Sequence, residues 1–213
     1  MADLTLSLPT GRLKDECVEL LSQVLPWPEP LRGGSRCLVY EDKTFPWKIL
    51  FSHPKDSSTY VEFGIADLGI VGKDILLERE NHVFELLDLG IGRCTMVLAG
   101  PQGLSRAELI EREHIRIATK YPAITQRYMT ENGLTGDLIY LYGSIELAPA
   151  MGLADAIVDL VSTGKTLQEN RLEIVDEICP VSARLVANRV SIRTRGKAMA
   201  SFLDRLREVV HND

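Results

Sequence analysis

Hydrophobic and polar positions change period several times along the chain, and those changes predict alternating strands and helices. Leu4, Leu6 and Leu8 alternate with polar neighbours, as on a half-buried strand. Pro9-Thr10-Gly11 then turns the chain, and Leu13, Cys17, Leu20, Leu21 and Val24 recur at helical spacing. Two more strands are predicted over residues 37–41 and 47–51, joined by Glu41-Asp42-Lys43-Thr44. Asp56, Ser57 and Ser58 can cap a short helix reaching Gly64, because their oxygens accept from the free amides of a first turn. Residues 67–71 read as a buried strand that Gly72 ends. From 85 to 100 the chain is nearly continuous apolar material broken by Gly90 and Gly92, which predicts two strands meeting at a hinge. Farther on come a strand over 115–119, a helix over 123–131 closed by Asn132-Gly133, strands over 138–141 and 156–159, and a helix from about Gly164. An extended run over 182–190 leads into a last helix whose Met199, Phe202, Leu203, Leu206 and Val210 share one face, expected in a core rather than at a subunit interface, the alternative for such a stripe.

This alternation predicts an α/β protein of two lobes, residues 1–92 plus 182–213 and residues 93–181, with a cleft suited to small ligands. Composition narrows the function. Lys plus Arg number 24 against 30 Asp plus Glu, a net charge of -6, so nucleic acid is not an expected partner. No apolar run approaches the roughly 20 residues that cross a bilayer. The amino terminus has no basic start followed by an apolar stretch, so a cytoplasmic location is expected. Cys17, Cys37, Cys94 and Cys179 form no C-x-x-C pair and read as reduced, mostly buried thiols. His53, His82, His114 and His211 are scattered, so no protein-held metal is expected. Trp27 and Trp47 read as packing residues.

The most informative stretch runs from Ala154 to Leu167: an apolar strand, a loop of small hydroxylic residues and glycine, then a helix. Ser162-Thr163-Gly164-Lys165-Thr166 can wrap a phosphate, since amides and hydroxyls point inward and the helix start adds partial positive charge. A Walker loop is excluded, because the motif needs glycine where Asp159 stands. An acid before a phosphate cradle would repel a triphosphate but can accept from ribose hydroxyls, which suggests a ribose 5-phosphate. The alternative is that Asp159 and the following loop only cap a helix. Glu146 follows another strand and glycine turn, and reads either as a second site acid or as a solvated helix-start residue.

Together with Pro9-Thr10-Gly11-Arg12-Leu13, residues 59–64 (TYVEFG), 66–74 (ADLGIVGKD), 85–89 (ELLDL) and 118–122 (ATKYP), the cradle resembles the ATP phosphoribosyltransferases in their short form, over nearly the whole chain. The resemblance implies a two-lobed fold of the type II periplasmic-binding-protein kind, with the active site in the interlobe cleft. It implies transfer of a phosphoribosyl group from phosphoribosyl pyrophosphate (PRPP) to N1 of the adenine of ATP, the first step of histidine biosynthesis, with Mg2+ carried on the PRPP pyrophosphate. By position Glu146, Asp159, Ser162, Thr163, Gly164, Lys165 and Thr166 would hold PRPP. Gly11, Arg12, Leu13, Gly72, Lys73, Thr119 and Lys120 would meet the nucleotide, and Arg12, Arg36 and His53 the reacting phosphates. Lys73-Asp74 also reads as a plain helix start. The resemblance further implies a homodimer, and a separate regulatory subunit resembling a histidyl-tRNA synthetase in a hetero-octamer.

The implied chemistry suits these residue types. Displacing pyrophosphate leaves positive charge on the ribose and negative charge on the leaving group, so the task is electrostatic, and adenine N1 already holds the attacking pair. Two departures from the family pattern, Thr10 for a lysine and His53 for a basic residue, remove permanent positive charge. A non-catalytic solute-binding or effector-sensing module on the same fold is the alternative, though the chain shows neither an export signal nor a helix-turn-helix.

Overall fold

The structure is a computed structural model describing residues 4–31 and 37–212. Its elements in chain order are β1 (Leu4–Pro9), α1 (Leu13–Ser22), β2 (Val39–Tyr40), β3 (Trp47–Ser52), α2 (Ser57–Glu62), β4 (Leu68–Gly72), α3 (Lys73–Glu78) and β5 (Val83–Asp88). There follow β6 (Cys94–Pro101), α4 (Arg106–Glu111), β7 (Ile115–Thr119), α5 (Pro122–Glu131), β8 (Gly136–Tyr140), α6 (Leu147–Ala150), β9 (Ala156–Val161), α7 (Lys165–Glu169) and β10 (Leu172–Val181). The chain closes with β11 (Ala183–Asn188) and α8 (Arg189–Asn212). Two compact units result: Met1–Leu76, Glu80–Gly92 and Ser182–Asp213 in one, Leu77–Arg79 and Arg93–Val181 in the other.

The first unit is a six-stranded sheet in the order β2-β3-β1-β4-β11-β5. β1 runs parallel to β3 and β4, while β11 is antiparallel to both β4 and β5. Successive side chains of a strand point to opposite faces, so Ile49 and Ile70 join one core and Leu50 and Val71 another. The first core takes the apolar face of α1 and the Met199, Phe202 and Leu206 stripe of α8; the second takes Val61 of α2 and Ile75 of α3. Asp67 fastens α8 to the sheet, accepting from the Thr5 amide at 2.9 Å, Ser191 Oγ at 2.6 Å and Arg195 at 2.7 Å.

The second unit is a five-stranded sheet, β10-β6-β9-β7-β8, in which β7 is parallel to β8 and β9 and β6 is antiparallel to β9 and β10. Met96, Ile115 and Ile117 face α5, and Val97, Ala118 and Ile157 face Ala148 of α6 and Leu167 of α7.

Several elements depart from the sequence pattern. β10 was not legible, because bulges between Ile174 and Asp176 and between Glu177 and Cys179 break its period on an edge strand. Neither was α4, although Ser105 and Glu108 form a reciprocal capping box there. The last helix begins at Arg189, inside the run read as extended, because Asn188 Oδ1 accepts from the amides of Val190 and Ser191 and starts it. Ser57 does not cap α2: its hydroxyl lies 2.8 Å from Ser52 Oγ in a buried serine cluster. Of the thiols, expected to be mostly buried, only Cys17 is; Cys94 and Cys179 are half-buried and Cys37 is exposed.

Candidate active site

The loop between β9 and α7 turns on Gly164, whose φ of +74° lies in the left-handed region that a side chain disfavours. Around that turn lies a cavity of about 200 Å³, bounded by Glu146, residues 159–166 and Leu167. Leu167 is buried and forms an apolar floor, while Ser162, Thr163 and Thr166 are exposed. Among the described residues no other side chain engages those three hydroxyls. Lys165 pairs only loosely with Glu169, at 3.8 Å and largely in solvent.

Both acids stand free of helix capping. Glu146 occupies the N-cap position of α6 without a side-chain cap bond, and the N-cap of α7 is Gly164, five residues beyond Asp159. Asp159 lies within β9, where Oδ1 accepts from the Leu160 amide at 2.8 Å and from Lys120 Nζ at 2.9 Å. Its carboxylate is therefore oriented beside the hydroxyl-rich loop. The arrangement suits a phosphate held by amides and hydroxyls, next to a carboxylate able to take the hydroxyls of an attached sugar.

Lys120 owes its position to Thr119. Thr119 is wholly buried; its Oγ1 donates to the Val158 carbonyl and accepts from the Tyr121 amide, both at 2.9 Å. Thr119, expected at the nucleotide, thus has its hydroxyl engaged in shaping the turn. Lys120, also expected at the nucleotide, meets the acid of the cradle.

The remaining residues of the sequence reading lie on the first unit, apart from Arg36, which falls outside the described residues. Gly11 has φ +80°, and the Thr10 amide donates to the Ser52 carbonyl at 2.8 Å, so the loop bearing Gly11 and exposed Arg12 runs beside the end of β3. His53 follows directly, exposed, with Nδ1 accepting from the Lys55 amide at 3.2 Å. Leu13, expected at the nucleotide, is half-buried with its side chain packed on the first core. Lys73 does begin a helix after Gly72, and its ammonium lies 2.6 Å from Glu85.

A family model described as ATP phosphoribosyltransferase matches residues 53–208, a span that includes the whole cradle. The chain belongs to the ATP phosphoribosyltransferase family. An ATP phosphoribosyltransferase of Symbiobacterium thermophilum is 44% identical over 212 residues, covering 99% of this chain and 96% of the relative. The solved ATP phosphoribosyl transferase HisG:HisZ complex from Thermotoga maritima contains a chain 38% identical to this one, with a TM-score of 0.83 and coverage of 99% and 100%. The periplasmic aliphatic sulphonate binding protein SsuA of Escherichia coli, 12% identical, shares the fold alone, with a TM-score of 0.61 over 99% of this chain and 69% of that one. The family fold is therefore the two-lobed, periplasmic-binding-protein-like one.

Sequence reasoning placed the members of the cradle but missed the Lys120–Asp159 pair. Its signal was available only through register: Thr119 and Val158 are partners across β7 and β9, so the next residue of each strand is brought alongside.

Proposed function

We propose that this member of the family transfers the 5-phosphoribosyl group of PRPP to N1 of the adenine of ATP, giving N1-(5-phosphoribosyl)-ATP and pyrophosphate, the first step of histidine biosynthesis. The observation that carries this reading is the cradle itself: exposed hydroxyls and a glycine turn around a cavity of about 200 Å³, with Asp159 and Glu146 at its edge. Ser162, Thr163, Gly164, Lys165 and Thr166 would hold the 5-phosphate, and the two carboxylates would accept from the ribose hydroxyls. The same carboxylates oppose the positive charge that grows on the ribose as pyrophosphate departs. Gly11, Arg12, His53, Gly72 and Lys73 are proposed for ATP and the departing pyrophosphate.

Mg2+ is proposed to arrive on the PRPP pyrophosphate, as this ion commonly binds through substrate phosphates and few protein ligands. Among the described residues no group of three or more His, Cys, Asp or Glu could hold a metal ion. No helix among the described residues is long and apolar enough to cross a membrane.

The deciding experiment follows pyrophosphate release by the purified chain given ATP, PRPP and Mg2+. Release that requires both substrates supports the proposal, and binding of either without turnover supports a solute-binding module instead. Since the Thermotoga maritima relative was solved as a HisG:HisZ complex, we extend a HisZ-type regulatory partner to this chain. The expectation is a homodimer by itself and a hetero-octamer with that partner, with histidine acting through the partner. Histidine should therefore leave the rate of the isolated chain unchanged; inhibition without a partner would place the effector site on this chain.

A further inference from the structure

Lys120 and Asp159 are brought together by two adjacent parallel strands rather than by a flexible meeting at the surface. Thr119, buried and bonded to both the Val158 carbonyl and the Tyr121 amide, pins the turn that ends β7. Tyr121 is itself 5% exposed, so the backbone on both sides of Lys120 is fixed. The Lys120 ammonium lies 2.9 Å from Asp159 Oδ1, with side-chain exposures of 29% and 15%, and 5.5 Å from the centre of the Tyr121 ring. Among the described residues it is the one cation within 4 Å of that carboxylate.

The pairing raises an electrostatic difficulty for the reaction. Asp159 serves a ribose that becomes cationic, yet an ammonium beside it cancels part of its charge. Lysine differs from arginine in being a compact charge on a long flexible stem, with three donors to distribute. We infer that Lys120 is an exchanging counter-ion of the phosphoribosyl site: it orients the Asp159 carboxylate before reaction and transfers its ammonium to pyrophosphate as that group leaves. In that step the bond from the anomeric carbon to the pyrophosphate oxygen breaks with its electron pair staying on oxygen, and the N1 lone pair of adenine forms the new bond. No proton moves in the displacement. Negative charge gained by pyrophosphate draws Lys120 away, which uncovers Asp159 just as the ribose gains positive charge.

This inference rests on the phosphoribosyl reading of the cradle, and the test separates the two. Parent, Lys120→Met, Lys120→Arg and Asp159→Asn chains are compared in steady-state pyrophosphate release, with pyrophosphate binding to each measured by calorimetry and folding checked by thermal melting. Lys120→Met should lower kcat by about 30- to 100-fold and weaken pyrophosphate binding by about tenfold, the scale of one lost charged hydrogen bond, while the KM for ATP stays within about twofold. Lys120→Arg should recover pyrophosphate binding but only part of kcat, because the planar fork stays engaged with the carboxylate. Asp159→Asn should leave pyrophosphate binding near the parent's. An active parent with parental kcat in Lys120→Met overturns the exchange, as does a Lys120→Met chain altered only in the KM for ATP, which would return the residue to the nucleotide. A parent that turns over no PRPP overturns the functional reading itself. If Lys120→Met melts early, the Lys120→Arg comparison still decides.

Discussion

Asp155, just before β9, and Asp159, within it, are four residues apart, and each pairs with a basic residue of the neighbouring segment, Arg116 within β7 and Lys120 just after it, also four apart. Their surroundings differ in a way that separates a fastening from a site. Asp155 accepts from the Arg116 amide at 2.8 Å and lies 3.3 Å from Arg112 and 3.5 Å from the Arg116 guanidinium, while its own amide donates back to the Arg116 carbonyl. Burial alone would raise its pKa, but the hydrogen bonds from Arg116 and the charges of Arg116 and Arg112 outweigh it and hold the carboxyl below the ordinary aspartate range. Asp159 has its neighbouring amide and one flexible lysine. The cavity beside Asp155 is the larger, about 430 Å³ against about 200 Å³, and by size alone it would be the first choice for a ligand. Acceptor capacity points the other way: a carboxylate that already accepts from a backbone amide and faces two guanidinium groups has less left for a substrate than one held by an amide and a single lysine.

The strongest way to break this comparison is Asp159→Asn. Removing the charge should slow turnover by on the order of a hundredfold or more if the charged bonds to ribose are worth about 3 kcal/mol, with little change in thermal stability. Kinetics close to the parent's would put Asp159 in the same fastening class as Asp155. The mirror experiment, Asp155→Asn, should leave kcat within about twofold. It should cost roughly 2 kcal/mol of stability, a fall in Tm of about 4–8 °C for a chain of this size, because two guanidinium groups lose their shared acceptor. Loss of activity without loss of stability would instead make the larger cavity functional.

The unequal legibility of these two acids in the sequence has a physical reason. Period alone wrote β1 from Leu4, Leu6 and Leu8, and the α8 stripe from Met199, Phe202 and Leu206, because each element buries one face and the code for that is local. The hydroxyl-rich loop was readable for the same reason, since small residues follow one another through its tight turn. Lys120–Asp159 and Arg116–Asp155 are not local. Both depend on β7 and β9 lying side by side in one particular register, Ile117 against Ala156 and Thr119 against Val158, which no window of sequence contains. β10 escaped because its two bulges shift the alternation that would have announced it. A motif names positions but not the direction of a side chain, and so the burial of Thr119 and the packing of half-buried Leu13 on the first core were not legible either.

A finer cut distinguishes the two arginines that hold Asp155. Arg116 supplies a backbone amide that no side-chain substitution removes, whereas Arg112 offers only a guanidinium at 3.3 Å, with its side chain 45% exposed. An ion pair so open to solvent is worth about 1 kcal/mol at most, so Arg112→Gln should cost less than half of what Asp155→Asn does. The sign of the pH dependence separates charge from packing. Asp155 has a native pKa below its unfolded value, so its contribution is intact above the unfolded carboxylate range, about 3.9, and is lost as pH falls through the depressed native value. Urea melts of the parent and Arg112→Gln should therefore differ near neutral pH and converge as the medium is acidified through the depressed native value. A deficit that persists undiminished in acid would mean that Arg112 acts through the apolar part of its side chain, packed along the cavity wall, and that Asp155 is held by Arg116 alone.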